Sequence, residues 1–440
     1  MMLRLAAFEL LRSGPEAPLR RLPEVAERFE LDVRDRALLR HLVATGWRRL
    51  GTLRALSKHL LNGKPKPDVA AFVHTGLVQV LFADRVPDHA AVGETVEACV
   101  HKLGLGKGRT LNACLRRAVR LREEGLSGDP RRDLVGRNCH LTEDVFRDPR
   151  DHPLLWAEDA LSMPAPLMKG WSSRHGEGVA LRIAEQSLEE PLLSIRLLRE
   201  DPEAVVGELG AAGLEPKVRR GATLLFGSDQ ISALLESKAF LRGAILVQGG
   251  AASAAADLVQ AREGEELLDL CAAPGGKTLV MAASGARVVA CDATQDKINR
   301  IGENVMRCEL GAQVELVVAD AGEGLEARQF DAVLVDAPCS NTGVLASRPE
   351  ARWRFGPGHQ KSLTELQARL IRAGADRVKP GGRLVWSTCS LEPSENVAQV
   401  RSLIAERPEF ELAEQSDLLP DPDEARVDGG FAARLVRRTH

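Results

Sequence analysis

A change of hydrophobic period part-way along the chain constrains its fold more than any other feature. After about residue 265, five short, near-continuous apolar runs follow one another: ELLDL, ARVVACD, QVELVVAD, FDAVLVDAP and GGRLVWSTCS. Helical stretches such as QDKINRIGENVMRCEL and HQKSLTELQARLIRAGADRV lie between them. Strands that are apolar on both faces and alternate with helices predict a parallel sheet covered on both sides. Residues 241–440 are therefore expected to form an α/β, Rossmann-like domain. Ligands of such sheets sit beyond the carboxyl ends of the strands, where these runs turn polar.

Upstream the period is that of helices. Apolar residues recur at three- and four-residue spacing in RDRALLRHLVATGWRRL, DVAAFVHTGLVQVLF and HAAVGETVEACVHKL. This predicts an all-α bundle over residues 1–130. The polar, turn-rich stretch 124–151 reads as a linker, and mixed signals over 145–240 predict a small α+β segment. A chain of 440 residues exceeds one ordinary core, which fits this multidomain reading.

Composition bounds the function classes. With 44% hydrophobic and 28% charged residues, the chain is of ordinary globular type. No apolar run approaches bilayer length, and the N-terminal MMLRLAAFELLRSG reads as an amphipathic helix without a cleavage site. A cytoplasmic protein with no membrane partner is expected. The eight cysteines form no CxxC pair, which argues against a zinc site or a disulfide framework and leaves free thiols. Net charge is −3, so distribution matters more than the sum. No acid falls between His101 and Arg122, where Lys102, Lys107, Arg109, Arg116, Arg117, Arg120 and Arg122 gather. Taken alone, such a run is a solvated helix face.

The first apolar run leads into Cys271, Ala272, Ala273, Pro274, Gly275, Gly276 and Lys277. Small residues let backbone approach a ligand, and the helix that follows offers free N–H groups. Neither a Walker A loop nor a GxGxxG fingerprint fits the spacing. The next three runs end at Asp292, Asp320 and Asp336. One acid at a strand end is commonly a helix cap. Three around one crevice suit S-adenosyl-L-methionine, with contacts to ribose, adenine and the reacting group, and an acidic rim for its sulfonium.

Two cysteines, Cys339 in DAPCSNTG and Cys389 in STCSLEPSEN, fall just past the ends of the fourth and fifth strands. A buried cysteine is usually inert core, the reading given to Cys99, Cys114 and Cys308. Two thiols in polar loops beside one crevice suggest covalent catalysis. A thiolate adding to carbon 6 of cytosine turns electron-poor carbon 5 into a methyl acceptor. Lys277 and local helix N-termini could favour the thiolate, and Asp336 could bind the base edge. The target base must be unpaired or flipped out.

With LDLCAAPGGKT, VDAPCSNTGV and STCSLEPSEN laid out, the chain resembles the Sun/Nop family of RNA cytosine-5 methyltransferases. RRLGTL, RVPDHAAVGETVE and GKGRTLNACLRR make the N-terminal region similar to NusB, an RNA-binding helical module. The combination resembles the bacterial, NusB-fused branch that modifies small-subunit ribosomal RNA. The resemblance implies Cys389 as nucleophile, Cys339 as an aid to product release, and cofactor contacts from Cys271 to Lys277 and from Asp292, Asp320 and Asp336. It also implies RNA as partner, a class I methyltransferase fold over 241–440 and a monomer, without metal. Several positions depart from the family pattern: Leu198 for Asn, Gly249 for Asp, Ala251 for Ser, Ala346 and Ser347 for an Arg pair, and DGGF for DGFF. Transfer RNA as substrate, or an RNA-binding assembly factor without turnover, are the alternatives.

Overall fold

Seven helices fill the first 121 residues: Met2–Arg12, Pro18–Arg28, Val33–Arg48, Leu50–Leu60, Pro67–Phe82, Asp88–Leu103 and Leu105–Leu121. The computed structural model describes residues 1–198, 201–325, 327–420 and 428–439. Helix Pro67–Phe82 opens with proline and an acid in its first turn, where a missing N–H and a negative charge are both favoured. From Ala71 to Phe82 every residue is buried, so this helix runs through the middle of its bundle. Its one amide, Gln79, is satisfied by Arg4 at 2.9 Å and by Thr95 at 3.0 Å.

The stretch expected as a linker is packed structure. Strands Arg122–Glu124 and Cys139–Leu141 pair antiparallel, and Leu134, Leu141 and Phe146 join the helical core. These apolar residues are isolated among polar ones, so local composition hid them. Helices Pro153–Ala160, Ala165–His175 and Glu177–Gln186 complete a first unit of residues 1–189. That unit also takes in Leu345–Phe355, far away in sequence. Arg352 of that segment is fully buried and donates to the carbonyls of Ser187 at 3.0 Å, Pro349 at 3.1 Å, Ser162 at 3.3 Å and Leu345 at 3.3 Å. Four acceptors around one guanidinium offset the loss of water.

The second unit spans 190–344 and 356–440. It begins with an antiparallel sheet ordered Val218–Arg220, Thr223–Phe226, Leu193–Leu197, Ile245–Val247. Seven strands then form the main sheet: β1 (Glu266–Asp269), β2 (Arg287–Asp292), β3 (Val314–Val318), β4 (Phe330–Asp336), β5 (Val378–Thr388), β6 (Phe410–Leu418) and β7 (Gly430–Arg437). Helix α1 (Gly276–Ala283) follows β1, α2 (Gln295–Arg307) follows β2, α3 (Pro357–Asp376) lies between β4 and β5, and α4 (Val397–Glu406) follows β5. Strand order is β6-β7-β5-β4-β1-β2-β3, with β3 to β5 parallel to one another and β7 antiparallel to both its neighbours.

Central strands are buried on both faces, as continuous apolar runs require: Leu267, Leu268, Val333, Leu334, Val335, Leu384, Val385 and Trp386 have no exposure. The chain leaves β1 toward β2 and later returns to its other side as β4. This reversal opens a crevice at the carboxyl ends of β1 and β4.

Candidate active site

The last residue of β1 is Asp269, fully buried at the centre of the sheet. Thr278 Oγ1 donates to its Oδ2 at 2.7 Å, while buried Oδ1 has no protein partner. Burial, only partly opposed by the Thr278 hydrogen bond, pushes this carboxyl up to about 7. Immediately after it the chain turns through Cys271 to Lys277. Gly275, at φ +102°, adopts a left-handed conformation with Ile301 beside it, which favours glycine at this place. Ala272 N–H donates to the Cys291 carbonyl at 3.0 Å, and Ala273 N–H donates to Asp292 Oδ2 at 3.1 Å, so the loop is tied to the end of β2. The Cys271 thiol is pushed well up by burial and then by Asp292, Asp269 and Asp336, which keeps it protonated.

Lys277, in the first turn of α1, crosses to β4, where its Nζ lies 2.6 Å from Asp336 Oδ2. Ser387 Oγ on neighbouring β5 donates to Asp336 Oδ1 at 2.6 Å, as their paired register allows. Burial works against the Lys277 ammonium. Asp336, then Asp269 and Cys389, outweigh it and hold its pKa above the ordinary value. Lys277 thus remains a cation at neutral pH and favours negative charge on Cys389.

The two loops beyond β4 and β5 bring Cys339 and Cys389 together, with their Sγ atoms 3.2 Å apart. Cys389 also donates to Asn341 Oδ1 at 3.2 Å, and Asn341 Nδ2 donates to the Cys339 carbonyl at 2.7 Å, which fixes the amide's orientation. Gly343 closes the loop: its N–H donates to the Cys389 carbonyl at 3.0 Å, and a Cβ there would lie 2.4 Å from the Gly429 carbonyl oxygen. The hydrogen bond with Cys389, burial, the Cys389 charge and then Glu395 push the Cys339 thiol well up. That push keeps the Cys339 thiol protonated.

Asp292 lies with this group, held by Lys297 Nζ at 2.7 Å and by the Ala273 N–H. Asp320 does not share these partners. It is exposed beyond β3, and its carboxylate accepts from Arg369 at 3.3 Å. Sequence reasoning missed Asp269, Ser387 and Asn341. Asp269 carried a usable signal, since an acid inside the apolar run ELLDL needs a partner once buried.

Some departures from the family pattern touch one another. A Cβ on Gly249 would lie 2.8 Å from Asp428 Oδ2, and one on Gly430 would lie 3.0 Å from the Ala251 Cβ, so small residues at these places fit together. Leu198 packs on the core around Leu267 and Ala332. Ala346 and Ser347 fall in the segment assigned to the first unit, where Arg48 donates to the Ala346 carbonyl at 3.0 Å. In that unit, two cations of the basic run have structural partners: Arg117 pairs with Glu143 at 2.8 Å and Arg122 with Asp88 at 2.9 Å. Lys102, Lys107, Arg109, Arg116 and Arg120 are exposed.

The family described as 16S rRNA methyltransferase RsmB/F matches residues 256–437, and the NusB family matches residues 1–120. Ribosomal RNA small subunit methyltransferase B of Vibrio cholerae is 31% identical over 428 residues, covering 94% of this chain and 92% of that protein. The protein of the same name from Serratia proteamaculans is 31% identical over 430 residues, covering 92% and 91%. Among solved structures, PH0851 superposes with a TM-score of 0.76 at 23% identity, covering 99% of this chain and 98% of that one. A methyltransferase homolog from Pyrococcus horikoshii gives 0.56 at 24% identity, over 65% of this chain and 99% of that one, a likeness of fold. With these two family matches and near-full-length identity of this order, the chain belongs to the RsmB/F family of S-adenosylmethionine-dependent 16S rRNA methyltransferases, preceded by a NusB region.

Proposed function

We propose that this enzyme methylates carbon 5 of a cytosine in small-subunit ribosomal RNA, with Cys389 as the nucleophile and Cys339 as an aid to release. The observation that carries the reading is the 3.2 Å contact between the two sulfurs, beside the Lys277–Asp336 ion pair. The Cys389 thiolate adds to carbon 6, and the electrons displaced from the ring double bond make carbon 5 a nucleophile. Asp336, fixed by Lys277 and Ser387, presents a carboxylate to the amino edge of the flipped base. After methylation the carbon 5 proton passes to a base, the ring double bond returns, and the bond from carbon 6 to sulfur breaks. Cys339 Sγ lies 3.2 Å from that leaving sulfur, beside Asn341.

S-adenosyl-L-methionine supplies an electrophilic methyl group when bound. The unpartnered Asp269 oxygen fits the ammonium of an amino-acid moiety. Backbone from Cys271 to Lys277 would pass along the ligand, Asp292 would meet the ribose, and Asp320 would exchange Arg369 for the adenine side. Residues 1–130 and 145–240 would bind RNA and 241–440 would carry the chemistry, in a protein acting as a monomer in the cytoplasm.

To test the function, unmodified small-subunit ribosomal RNA and transfer RNA are incubated separately with labelled methyl donor, and modified bases are mapped. Label at carbon 5 of one ribosomal cytosine is expected. Label on transfer RNA alone would move the substrate, and none on either, with donor binding intact, would remove the enzymatic reading. The substituted positions Leu198, Gly249, Ala251, Ala346 and Ser347 favour a second reading as an assembly factor. In that case a Cys389→Ala chain would still support ribosome assembly.

A further inference from the structure

The motif that carries Cys389 ends in Ser394, Glu395 and Asn396, and the mechanism above uses none of them. Glu395 has no exposure, and a carboxylate so placed must be fully partnered. Its partners flank both cysteines. Oε2 accepts from the Ser340 N–H at 2.8 Å and from Gln367 Nε2 at 3.0 Å, while Oε1 accepts from Ser390 Oγ at 2.9 Å. Ser340 directly follows Cys339, and Ser390 directly follows Cys389. Gln367 also donates to the carbonyl of Pro338, just before Cys339, at 2.8 Å. Asn396 accepts from Thr388 Oγ1 at 2.6 Å and donates to the Ser390 carbonyl at 2.8 Å, so it holds both neighbours of Cys389.

We propose that Glu395 is a positioning residue: its single carboxylate grips the residue after each cysteine, holds the two sulfurs in contact and makes them inequivalent. The Gly343 N–H to the Cys389 carbonyl and the Leu391 N–H to Thr342 Oγ1 already tie the two loops, and the carboxylate adds a charged tie beside both sulfurs. One rigid group with two acceptors couples them, and its charge is among the causes that push the Cys339 thiol up. This inference rests on the cysteine chemistry proposed above, yet its geometry can be read without RNA.

The test uses the full chain without RNA or donor. Phenylarsine oxide, which bridges two adjacent thiols, measures whether the sulfurs are together, with Cys339→Ser as the control that cannot be bridged. Iodoacetamide labelling, mapped to each cysteine across neutral and alkaline pH, measures which thiol ionises first. Glu395→Ala should weaken arsenical binding about tenfold, and Glu395→Gln should shrink the preference for Cys389 over Cys339 by about tenfold, one unit of relative acidity. Ser390→Ala, which removes the Glu395 tie together with the hydroxyl contacts to Ser340 and Thr342 and keeps the charge, should weaken the arsenical without moving the pH dependence, and it carries the test if a Glu395 variant does not fold. Wild-type arsenical affinity and a wild-type pH profile in the variants would overturn the proposal. Failure of the methylation reading would leave these thiol measurements unchanged, so the two ideas fail separately.

Discussion

The crevice at the strand ends and the basic helix Leu105–Leu121 carry their charge in opposite ways. In the crevice, Lys277 is nearly buried and paired with Asp336, and Asp269 is fully buried. Along the helix, Lys107, Arg109, Arg116 and Arg120 stand in solvent. A desolvated charge acts strongly at one fixed point, whereas exposed charges are screened and attract any polyanion. The crevice is therefore suited to discriminate atoms, and the helix to attract a polyanion without reading it.

The sharpest way to break this contrast is at the sulfur. Cys389→Ala, which removes the proposed nucleophile, should reduce methylation by at least about 10⁴-fold, while donor binding measured by calorimetry stays near wild type. Retained turnover would place the nucleophile elsewhere. Asp336→Asn removes the carboxylate that Lys277 and Ser387 share. Methylation should fall on the order of 10²-fold, and the pH–rate profile should shift as Lys277 loses the partner that raised its pKa.

Asp269→Asn separates stability from binding. Its carboxyl is raised to about 7, so the folded chain holds a proton that the unfolded chain releases, and stability falls as pH rises from about 4 to about 7. The variant should escape that loss and unfold at higher denaturant concentration at pH 8, by on the order of 1–3 kcal/mol. Donor affinity should drop about tenfold as the unpartnered oxygen is lost. A variant that is less stable at pH 8 would contradict the burial penalty. The smallest effect belongs to the helix: Arg109→Gln or Arg120→Gln should weaken RNA binding only a few-fold. Each should lower the salt-dependence slope by about 0.7–0.9 with kcat unchanged. A base-specific loss there would erase the contrast.

Much of the crevice was legible because its signals are local. The loop after β1, the acids ending β2 and β4, and the cysteines after β4 and β5 each stand where a continuous apolar run stops. The parts that were not legible depend on distant partners. Asp320 ends a similar run, and its partner, Arg369 on α3, lies 49 residues further along. Glu395 falls within the STCSLEPSEN motif, but nothing in the spacing says that it reaches the residues after both cysteines. The segment around Arg352 carries no local signal of its burial, since the acceptors Ser162 and Ser187 lie far back in the chain. The supposed linker was misread for the same reason: Leu134 and Phe146 acquire meaning only against the helical core.

The most direct measurement is to trap the bond itself. Cys339→Ala, incubated with substrate RNA and methyl donor, should accumulate a protein–RNA adduct that survives a denaturing gel and maps by mass spectrometry to Cys389. A Cys339→Ala, Cys389→Ala chain should give none. An adduct mapping to another residue, or one formed by Cys389→Ala with Cys339 intact, would contradict the account.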